Sequence, residues 1–362
     1  MKKFKTILAV AAIAAFLFGC RKEDCDNHKT SHVYTLSNQA NGNSVILFER
    51  NTNGSLEFSD SFPTGGKGTG AGLGSQGALT LSHDHDWLFA VNAGSNEISV
   101  LRIKGNTLEL VSKVPSGGNM PVSITSYQNW VYVLNAGDNG SIAGFYLTPS
   151  GSLTPIPNSV QQLSGKATGP AQISFTEDGA NLVITEKAAN KIVSYNVTAT
   201  GTPGEYHELS SASPTPFGFA VGNDGYIFVS EAMQSALSVY RIAADSIRLV
   251  DGPVLNNQNA ACWVVLTKDG KYAYTANAAS NSISGYRVSS PNEIELLNEN
   301  GVTAVTGSSP IDEALSSNSK YLYVLNSSSH SIRAFSINTD GSLQFIDDVD
   351  GLPIGAAGLT AN

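Results

Sequence analysis

Short runs of alternating apolar and polar residues fill most of this chain, and residues 269–288 show the unit that these runs form. A turn at Asp269-Gly270 leads into an alternating segment over residues 271–276, and Asn277, a polar turn and a second alternating segment over 282–288 follow. Alternation with a period of two is typical of half-buried antiparallel strands. The stretch therefore predicts a β-hairpin whose first strand ends on a polar side chain.

The unit recurs seven times along the chain. In each copy a polar anchor residue precedes an apolar residue of the next strand by six or seven positions, and successive anchors are 43 to 54 residues apart. Repeats of this length are typical of solenoids and propellers. The seven pairs are Asn38 with Val45, Asn92 with Ile98, Asn135 with Ile142, Glu186 with Ile192, Glu231 with Leu237, Asn277 with Ile283, and Asn326 with Ile332.

Each copy contains two further strand-like segments, one before the hairpin and one after it. The upstream segment often opens on a proline, as at Pro170 and Pro216, and the downstream one often follows a Gly-Ser-Leu turn, as at Gly151. Four strands at this spacing describe one blade of a β-propeller. We therefore predict an all-β, seven-bladed propeller. We further predict that residues 353–360 supply the innermost strand of the first blade and close the ring.

Length and composition are consistent with this fold. A propeller adds a small core at each blade junction, so 362 residues fit one repeat domain, which we place at residues 32–362. Only 14% of residues are charged, and the formal net charge of −9 argues against a nucleic-acid partner. We expect a monomer without a cofactor.

The N-terminus predicts export and a lipid anchor. A basic start is followed by an apolar run that is too short to span a membrane, as in a secretory signal. The run ends in Leu17-Phe18-Gly19-Cys20, which resembles a bacterial lipobox. That resemblance implies a signal peptide of residues 1–19, lipidation of Cys20, and a membrane partner that the acyl chains enter. An ordinary signal peptide with an incidental cysteine is the alternative.

Residues 20–31 read as a polar tether. Its segment Lys22-Glu23-Asp24 is similar to the surface-export signal of some bacterial lipoproteins, and a solvated linker explains it equally well. The protein is therefore expected in the bacterial cell envelope, anchored at the outer membrane and facing either the periplasm or the surface. Cys25 in the tether and Cys262 in a predicted inner strand are not expected to form a disulfide.

Two stretches suggest binding chemistry that their spacing does not support. The glycine-rich run of residues 65–77 lacks nucleotide-binding spacing and predicts a flexible connection between blades one and two. The cluster His83-Asp84-His85-Asp86 occupies the turn between the first and second strands of its blade, where Asp and Asn favour turn conformations. We expect a solvated turn there and no metal site, with adventitious metal binding as the alternative.

The blades resemble the lactonase propeller family, which includes 6-phosphogluconolactonase and carboxymuconate cyclase. The resemblance rests on the segment from Gly169 to Phe175 before Asp178-Gly179, on residues 215–219, and on blades that end as at Val239-Tyr240. It covers residues 32–362 and implies a site made of a histidine, two arginines and a glutamate. The positions that match these are Ala171 or Gln172 for the histidine, Phe217 and Ala278 for the arginines, and Ala232 for the glutamate.

Because lactone chemistry needs a proton-transfer group and a cation, that set is not expected to be active here. Candidate catalytic residues in a rearranged acidic site are Glu186, Glu231 and Asp312. For Glu186 and Glu231 the alternative is that each replaces an anchor asparagine and bonds the backbone. Asp312-Glu313 is expected to be an exposed pair of which only one side chain points inward.

Candidate ligand-binding residues lie at the starts of the inner strands and just after the anchors, where a propeller forms its funnel. Phe217 and Trp263 would form an aromatic wall there, with packing between blades as the alternative. We expect a protein that binds a small polar ligand or an envelope protein, and a lactonase-like hydrolase is the rival hypothesis. The four candidate ligand-binding residues are Gln172, Lys187, Phe217 and Trp263.

Overall fold

The computed structural model describes residues 31–289 and 293–362, and it is a ring of seven antiparallel sheets. The predicted signal peptide, Cys20 and Cys25 lie outside the described residues. Each sheet is one blade, and in blades 2 to 7 the main strands run from the central axis outward in chain order. Among the described residues, no helix has the length and hydropathy required to cross a bilayer.

Blades 1 to 3 are formed by the first twelve strands and the last strand. Blade 1 places the C-terminal strand innermost, and blade 3 adds a short strand that pairs with its third strand. The strands are β1 His32–Leu36, β2 Ser44–Arg50, β3 Leu56–Pro63, β4 Leu79–Leu81, β5 Trp87–Asn92, β6 Glu97–Lys104, β7 Thr107–Pro115, β8 Pro121–Tyr127, β9 Trp130–Asn135, β10 Ser141–Leu147, β11 Leu153–Pro155 and β12 Gln161–Gln162.

Blades 4 to 7 follow the same plan, with one 3-10 turn at Asn223–Gly225 in blade 5 and an extra short strand in blade 6. Their strands are β13 Pro170–Phe175, β14 Asn181–Glu186, β15 Lys191–Val197, β16 Pro203–Ser210, β17 Pro216–Val221, β18 Tyr226–Glu231, β19 Ala236–Ala243, β20 Ser246–Leu255, β21 Ala261–Leu266, β22 Tyr272–Asn277, β23 Ser282–Ser289, β24 Glu293–Leu296, β25 Ala304–Val305, β26 Pro310–Leu315, β27 Tyr321–Asn326, β28 Ser331–Ile337 and β29 Leu343–Asp350.

The ring closes through β30, Ala357–Ala361, which pairs with β1 as the innermost strand of blade 1. Val33 lies opposite Ala361, and the Asn362 amide donates to the His32 carbonyl at 3.0 Å. This pairing covers a sheet edge that would otherwise be exposed. Both the seven blades and their closure by the C-terminal strand confirm the prediction.

Tyrosines on the second strands fasten one blade to the next. In three blades a buried tyrosine hydroxyl donates across the junction to the carbonyl of a turn glycine in the following blade. The three bonds run from Tyr132 to Gly201 at 2.6 Å, from Tyr274 to Gly341 at 2.9 Å and from Tyr323 to Gly54 at 3.1 Å. At Gly54, φ is +91° and a Cβ would lie 2.4 Å from the Tyr321 ring, so glycine is required there.

In blades 2 to 7 the anchor is the last residue of the second strand. Asn92 shows what the position does, because its amide donates to Ser99 Oγ at 2.8 Å and accepts from Thr64 Oγ1 at 2.6 Å. Thr64 belongs to the connection that leaves blade 1, so the anchor ties a passing loop to the blade. Since a buried polar side chain is costly without partners, this bonding explains the polar residue in an otherwise apolar strand.

Candidate functional site

The inner strands contact one another through the second residue after each opening proline. In blade 4 this residue is Gln172. Its side-chain amide donates to the Phe219 carbonyl at 3.0 Å and accepts from the Phe219 backbone amide at 2.6 Å. In blade 3 the equivalent Ser123 hydroxyl accepts from the Ile173 amide at 3.1 Å. Gln172 is a predicted ligand-binding residue, and both of these hydrogen bonds join its side-chain amide to the next blade.

Blade 5 has a glycine, Gly218, at this position, and a side chain from elsewhere fills the gap. The side-chain amide of Gln76 donates to the Val264 carbonyl at 2.8 Å and accepts from the Val264 backbone amide at 3.1 Å. A Cβ on Gly218 would stand 2.0 Å from Gln76 Oε1 and 2.7 Å from the Cys262 carbonyl oxygen. Gln76 thus makes between blades 5 and 6 the contact that Gln172 makes between blades 4 and 5.

Gln76 belongs to the glycine-rich segment of residues 65–77, which we call the plug. The plug is fixed at blade 1, where the Gly70 amide donates to the Asn38 carbonyl at 2.8 Å. It then crosses the start of the inner strands, where the Ser75 hydroxyl donates to the Val122 carbonyl at 2.8 Å and the Gln76 amide N–H to the Ala171 carbonyl at 3.1 Å. The prediction of a flexible connection is therefore wrong, because hydrogen bonds to five blades hold this segment.

Three of the predicted ligand residues meet beneath the plug. The Phe217 and Trp263 rings lie 4.9 Å apart between centroids, and the Trp263 indole N–H donates to the Ser75 carbonyl at 2.9 Å. Lys187 Nζ lies 4.6 Å from the centre of the Phe217 ring and donates to the carbonyl of Gly74. Burial lowers the pKa of Lys187 from its usual value. The two rings are buried in contact with each other, at 8% and 5% exposure, and the plug covers them.

The two anchor glutamates are fully buried and hydrogen-bonded. Glu186 accepts from the amide of Ser164 at 3.0 Å and also from its hydroxyl. Glu231 accepts from the hydroxyls of Ser211 at 2.7 Å, Ser238 at 2.7 Å and Tyr240 at 2.6 Å. These bonds tie loops to blades as those of Asn92 do, and they favour the structural alternative for both residues.

Asp312 and Glu313 are both buried, at 2% and 3% exposure, so the expectation of an exposed pair is wrong. Strand alternation sends the two side chains to opposite neighbouring blades. Asp312 accepts from the Leu359 amide of the closing strand at 3.1 Å, whereas the Glu313 carboxyl lies beside the backbone amides of Val265 and Ala276 in blade 6. Burial raises the pKa of Asp312, and burial together with the Asp312 charge raises that of Glu313.

Four of the positions that match the family's implied site belong to, or pack against, one hydrophobic cluster. Ala171 and Phe217 are buried in one hydrophobic cluster with Trp263, and Ala232 and Ala278 pack against that cluster. These four side chains are apolar, while Gln172, the other position that matches the histidine, is hydrogen-bonded to blade 5. No group of three or more His, Cys, Asp or Glu side chains is placed to hold a metal within residues 31–289 and 293–362.

Sequence reasoning missed Ser75 and Gln76, the polar residues that join the plug to the inner strands. Their signal was indirect, because Gly218 stands where the neighbouring blade carries Gln172. A missing side chain in a repeat suggests that another group fills the space. Nothing in the linear sequence names that group, since Gln76 and Val264 are 188 positions apart.

Comparison with known proteins places the chain in a family. A family model described as lactonase, seven-bladed β-propeller matches residues 25–166, 143–253 and 250–353. These segments cover most of the chain, so the protein is a propeller of the lactonase class. It belongs to the seven-bladed lactonase family. A search of curated proteins found no match.

Solved structures share the fold at low sequence identity. A candidate 6-phosphogluconolactonase of Bacteroides fragilis has a TM-score of 0.71 and 17% identity, with 94% of this chain and 100% of that chain covered. A periplasmic gluconolactonase of Pseudomonas aeruginosa has a TM-score of 0.73 and 16% identity, with coverages of 91% and 98%. A Lactobacillus plantarum protein has a TM-score of 0.76 and 18% identity, with coverages of 92% and 99%.

Proposed function

We propose that this member of the lactonase family is a lipid-anchored envelope protein that binds a ligand and does not hydrolyse lactones. One observation carries the proposal: the positions that match the family's histidine, arginines and glutamate form an apolar cluster beneath the plug. Lactone opening needs a group that moves a proton and donors for the developing negative charge. Alanine and phenylalanine side chains provide neither.

Lys187 is the cation beside this cluster, and its contacts oppose a catalytic role. Its amine donates to the Gly74 carbonyl and lies against the Phe217 ring, so substrate would have to displace the plug to reach it. The ring and the carbonyl attract the charged amine, while burial lowers the pKa of Lys187. We therefore assign Lys187 to holding the plug in place.

A rearranged acidic site is the rival, and the geometry supports it less well. Glu231 accepts three hydroxyl hydrogen bonds, and Glu186 is held by Ser164. Asp312 lies on β26 and accepts from the Leu359 amide of the closing strand. A pair of catalytic carboxyls must face a shared substrate space, and each of these three is instead engaged at its own loop or blade junction.

A lactonase assay on the purified chain tests the proposal. We expect no turnover of glucono-δ-lactone or 6-phosphogluconolactone above the spontaneous rate. Glu231→Gln is expected to lower the free energy of unfolding by about 1–3 kcal/mol, since the substitution disturbs a buried hydrogen-bond network. Clear turnover by the wild type that Glu231→Gln abolishes, with the melting temperature unchanged, would establish the rival function.

The envelope location rests on the lipobox-like segment that ends at Cys20. A sulfur-linked diacylglycerol with a further acyl chain anchors a protein stably, because each buried methylene adds to membrane affinity. Expressed in a bacterium, the wild-type chain is expected in the membrane fraction and Cys20→Ser in the soluble fraction. Cys25→Ser is the matched control and should stay with the membrane. Equal partitioning of all three would disprove the anchor.

A further inference from the structure

The end of the propeller opposite the plug carries a cleft of about 880 Å³. It lies where the inner strands of blades 2 to 4 end, between the turn at Ser82 and Asp84, the β8 end at Tyr127 and the turn at Glu177. The plug bonds instead to the starts of the inner strands. The two features are therefore at opposite ends of the ring, and the cleft is separate from the apolar cluster.

The cleft is lined by polar side chains that make no side-chain hydrogen bond to other described residues, and Thr125 is the most buried of them, at 8% exposure. The hydroxyls of Thr125, Ser126 and Tyr127, the Gln128 amide and the Glu177 carboxylate line it, and none of them has a side-chain hydrogen-bond partner in the described part of the chain. Ligand sites fix orientation with a few convergent polar groups in a space of about 300–1,000 Å³. Hydroxyl and amide groups both donate and accept, and they match a ligand rich in hydroxyls.

The charges around the cleft exclude one class of ligand. Asp84 and Glu177 line it, and neither a lysine nor an arginine does so among the described residues. A phosphorylated or acidic sugar would meet two carboxylates, and the basic groups at the cleft are His83 in the lining and Arg102 over the Trp87 ring. The cleft therefore favours a neutral ligand.

The aromatic walls are fixed in place before any ligand arrives. A Cβ on Gly179 would stand 2.2 Å from the Tyr127 ring, and one on Gly151 would stand 2.4 Å from the Trp87 ring, so both rings pack on bare backbone. The Arg102 guanidinium lies 4.6 Å from the Trp87 ring centre. With the ring faces packed in this way, hydrogen bonding rather than stacking is the main source of recognition, and a preformed wall lowers the entropic cost of binding.

We propose that this cleft binds a neutral glycan through the hydroxyl and amide groups at the end of β8. The inference rests on the proposed binding function and specifies its site and ligand class. A glycan ligand is also compatible with the proposed envelope location, since the protein would meet it outside the cytoplasm. Thr125 and Ser126 are the residues on which recognition is expected to depend most, because their hydroxyls are unpartnered and lie on a strand rather than a loop.

Titration of the full chain with neutral glycans tests this inference. A glycan array selects the probe, with maltotriose and tri-N-acetylchitotriose included, and calorimetry measures the dissociation constant. We expect at least one neutral glycan to bind and 6-phosphogluconate not to bind. Thr125→Val and Ser126→Ala should each weaken the binding about 10-fold, the size expected for a lost hydrogen bond. Thr52→Val, at an exposed turn of blade 1, is the matched control and should bind normally.

Three results would overturn the glycan site: no neutral glycan on the array binds, only anionic sugars bind, or binding survives both cleft substitutions. These failures differ from a failure of the proposed function, which appears as lactone turnover in a separate assay. A protein that hydrolyses lactones at the plug end and still binds a glycan in the cleft would refute the first proposal and keep the second.

Discussion

At the residue scale, the blades meet through small, specific contacts on which several glycines depend. Gly218 leaves room for the Gln76 amide, and Gly54 leaves room for a neighbouring tyrosine ring. Any other residue at these two positions would clash with its neighbours, because its Cβ would lie closer than 3 Å to a neighbouring atom. Glycine is therefore used here to admit a neighbour and not only to form a turn.

The contact between Gly218 and Gln76 predicts non-additive stability changes. Gly218→Ala should lower the free energy of unfolding by about 1–3 kcal/mol through overpacking. Gln76→Ala should cost about 1–3 kcal/mol, because it leaves the buried Val264 amide and carbonyl unpaired.

The double variant should lose less than the sum of the two single losses, since the alanine at 76 vacates the space that the new Cβ enters. Urea denaturation of the four proteins measures the coupling. Strict additivity would show that the two residues do not share this space.

At the element scale, the closing strand matters more than its five residues suggest. β30 pairs with β1, and its Leu359 is buried between blades while its amide donates to Asp312. The strand therefore joins the ends of the chain and completes the packing of blade 1. The plug also joins distant parts of the ring, because it connects blade 1 to blades 3, 4 and 6, although it is not a strand.

Loss of packing at the closing strand should be costly. Leu359→Ala is expected to lower the free energy of unfolding by about 2–4 kcal/mol, as buried leucine truncations do. Ile354, which is 71% exposed just before the strand, is the control. Its replacement by alanine should change stability by no more than about 0.5 kcal/mol.

Thermal or urea denaturation compares the two variants. Equal losses in both would mean that β30 is not packed as the structure shows.

At the scale of the whole molecule, the ring encloses two carboxyl groups near its axis. Burial raises the pKa of Asp312 and of Glu313 above the ordinary values of 3.8 and 4.5. The folded protein therefore keeps protons that the unfolded chain releases as the pH rises through those values. Since the native state then binds more protons, these groups stabilise the fold most below about pH 4 and less as the pH increases.

Replacing either carboxyl with an amide, which does not titrate, should change how the free energy of unfolding depends on pH. Asp312→Asn keeps an oxygen that can accept from the Leu359 amide, and it should gain stability relative to the wild type between pH 4 and pH 7. Glu313→Gln should behave in the same direction. Each tenfold difference in proton affinity between the folded and unfolded states is worth about 1.4 kcal/mol.

Urea denaturation at pH 4, 5.5 and 7 measures the difference between variant and wild type. A difference that stays constant across this range would show that the two carboxyls titrate normally in the folded protein.

The sequence by itself determined the repeat, the number of blades and the closure of the ring. These follow from local patterns, because strand alternation, turn residues and the anchor spacing are each written within a few consecutive positions. It also identified Phe217 and Trp263 as neighbours near the axis. It also marks the polar anchors as one class of position, which includes Glu186 and Glu231.

Only the tertiary structure decided what covers the axis and which polar groups remain available. The sequence predicts a flexible connection for the plug because its glycines carry no side-chain pattern, and its partners lie on strands up to 188 positions away. The burial of Asp312 and Glu313 likewise depends on two blades packing against a third. Local alternation predicts which residues form strands and which face each side of a sheet. It does not predict which distant segments come into contact, because those contacts form only when the ring closes.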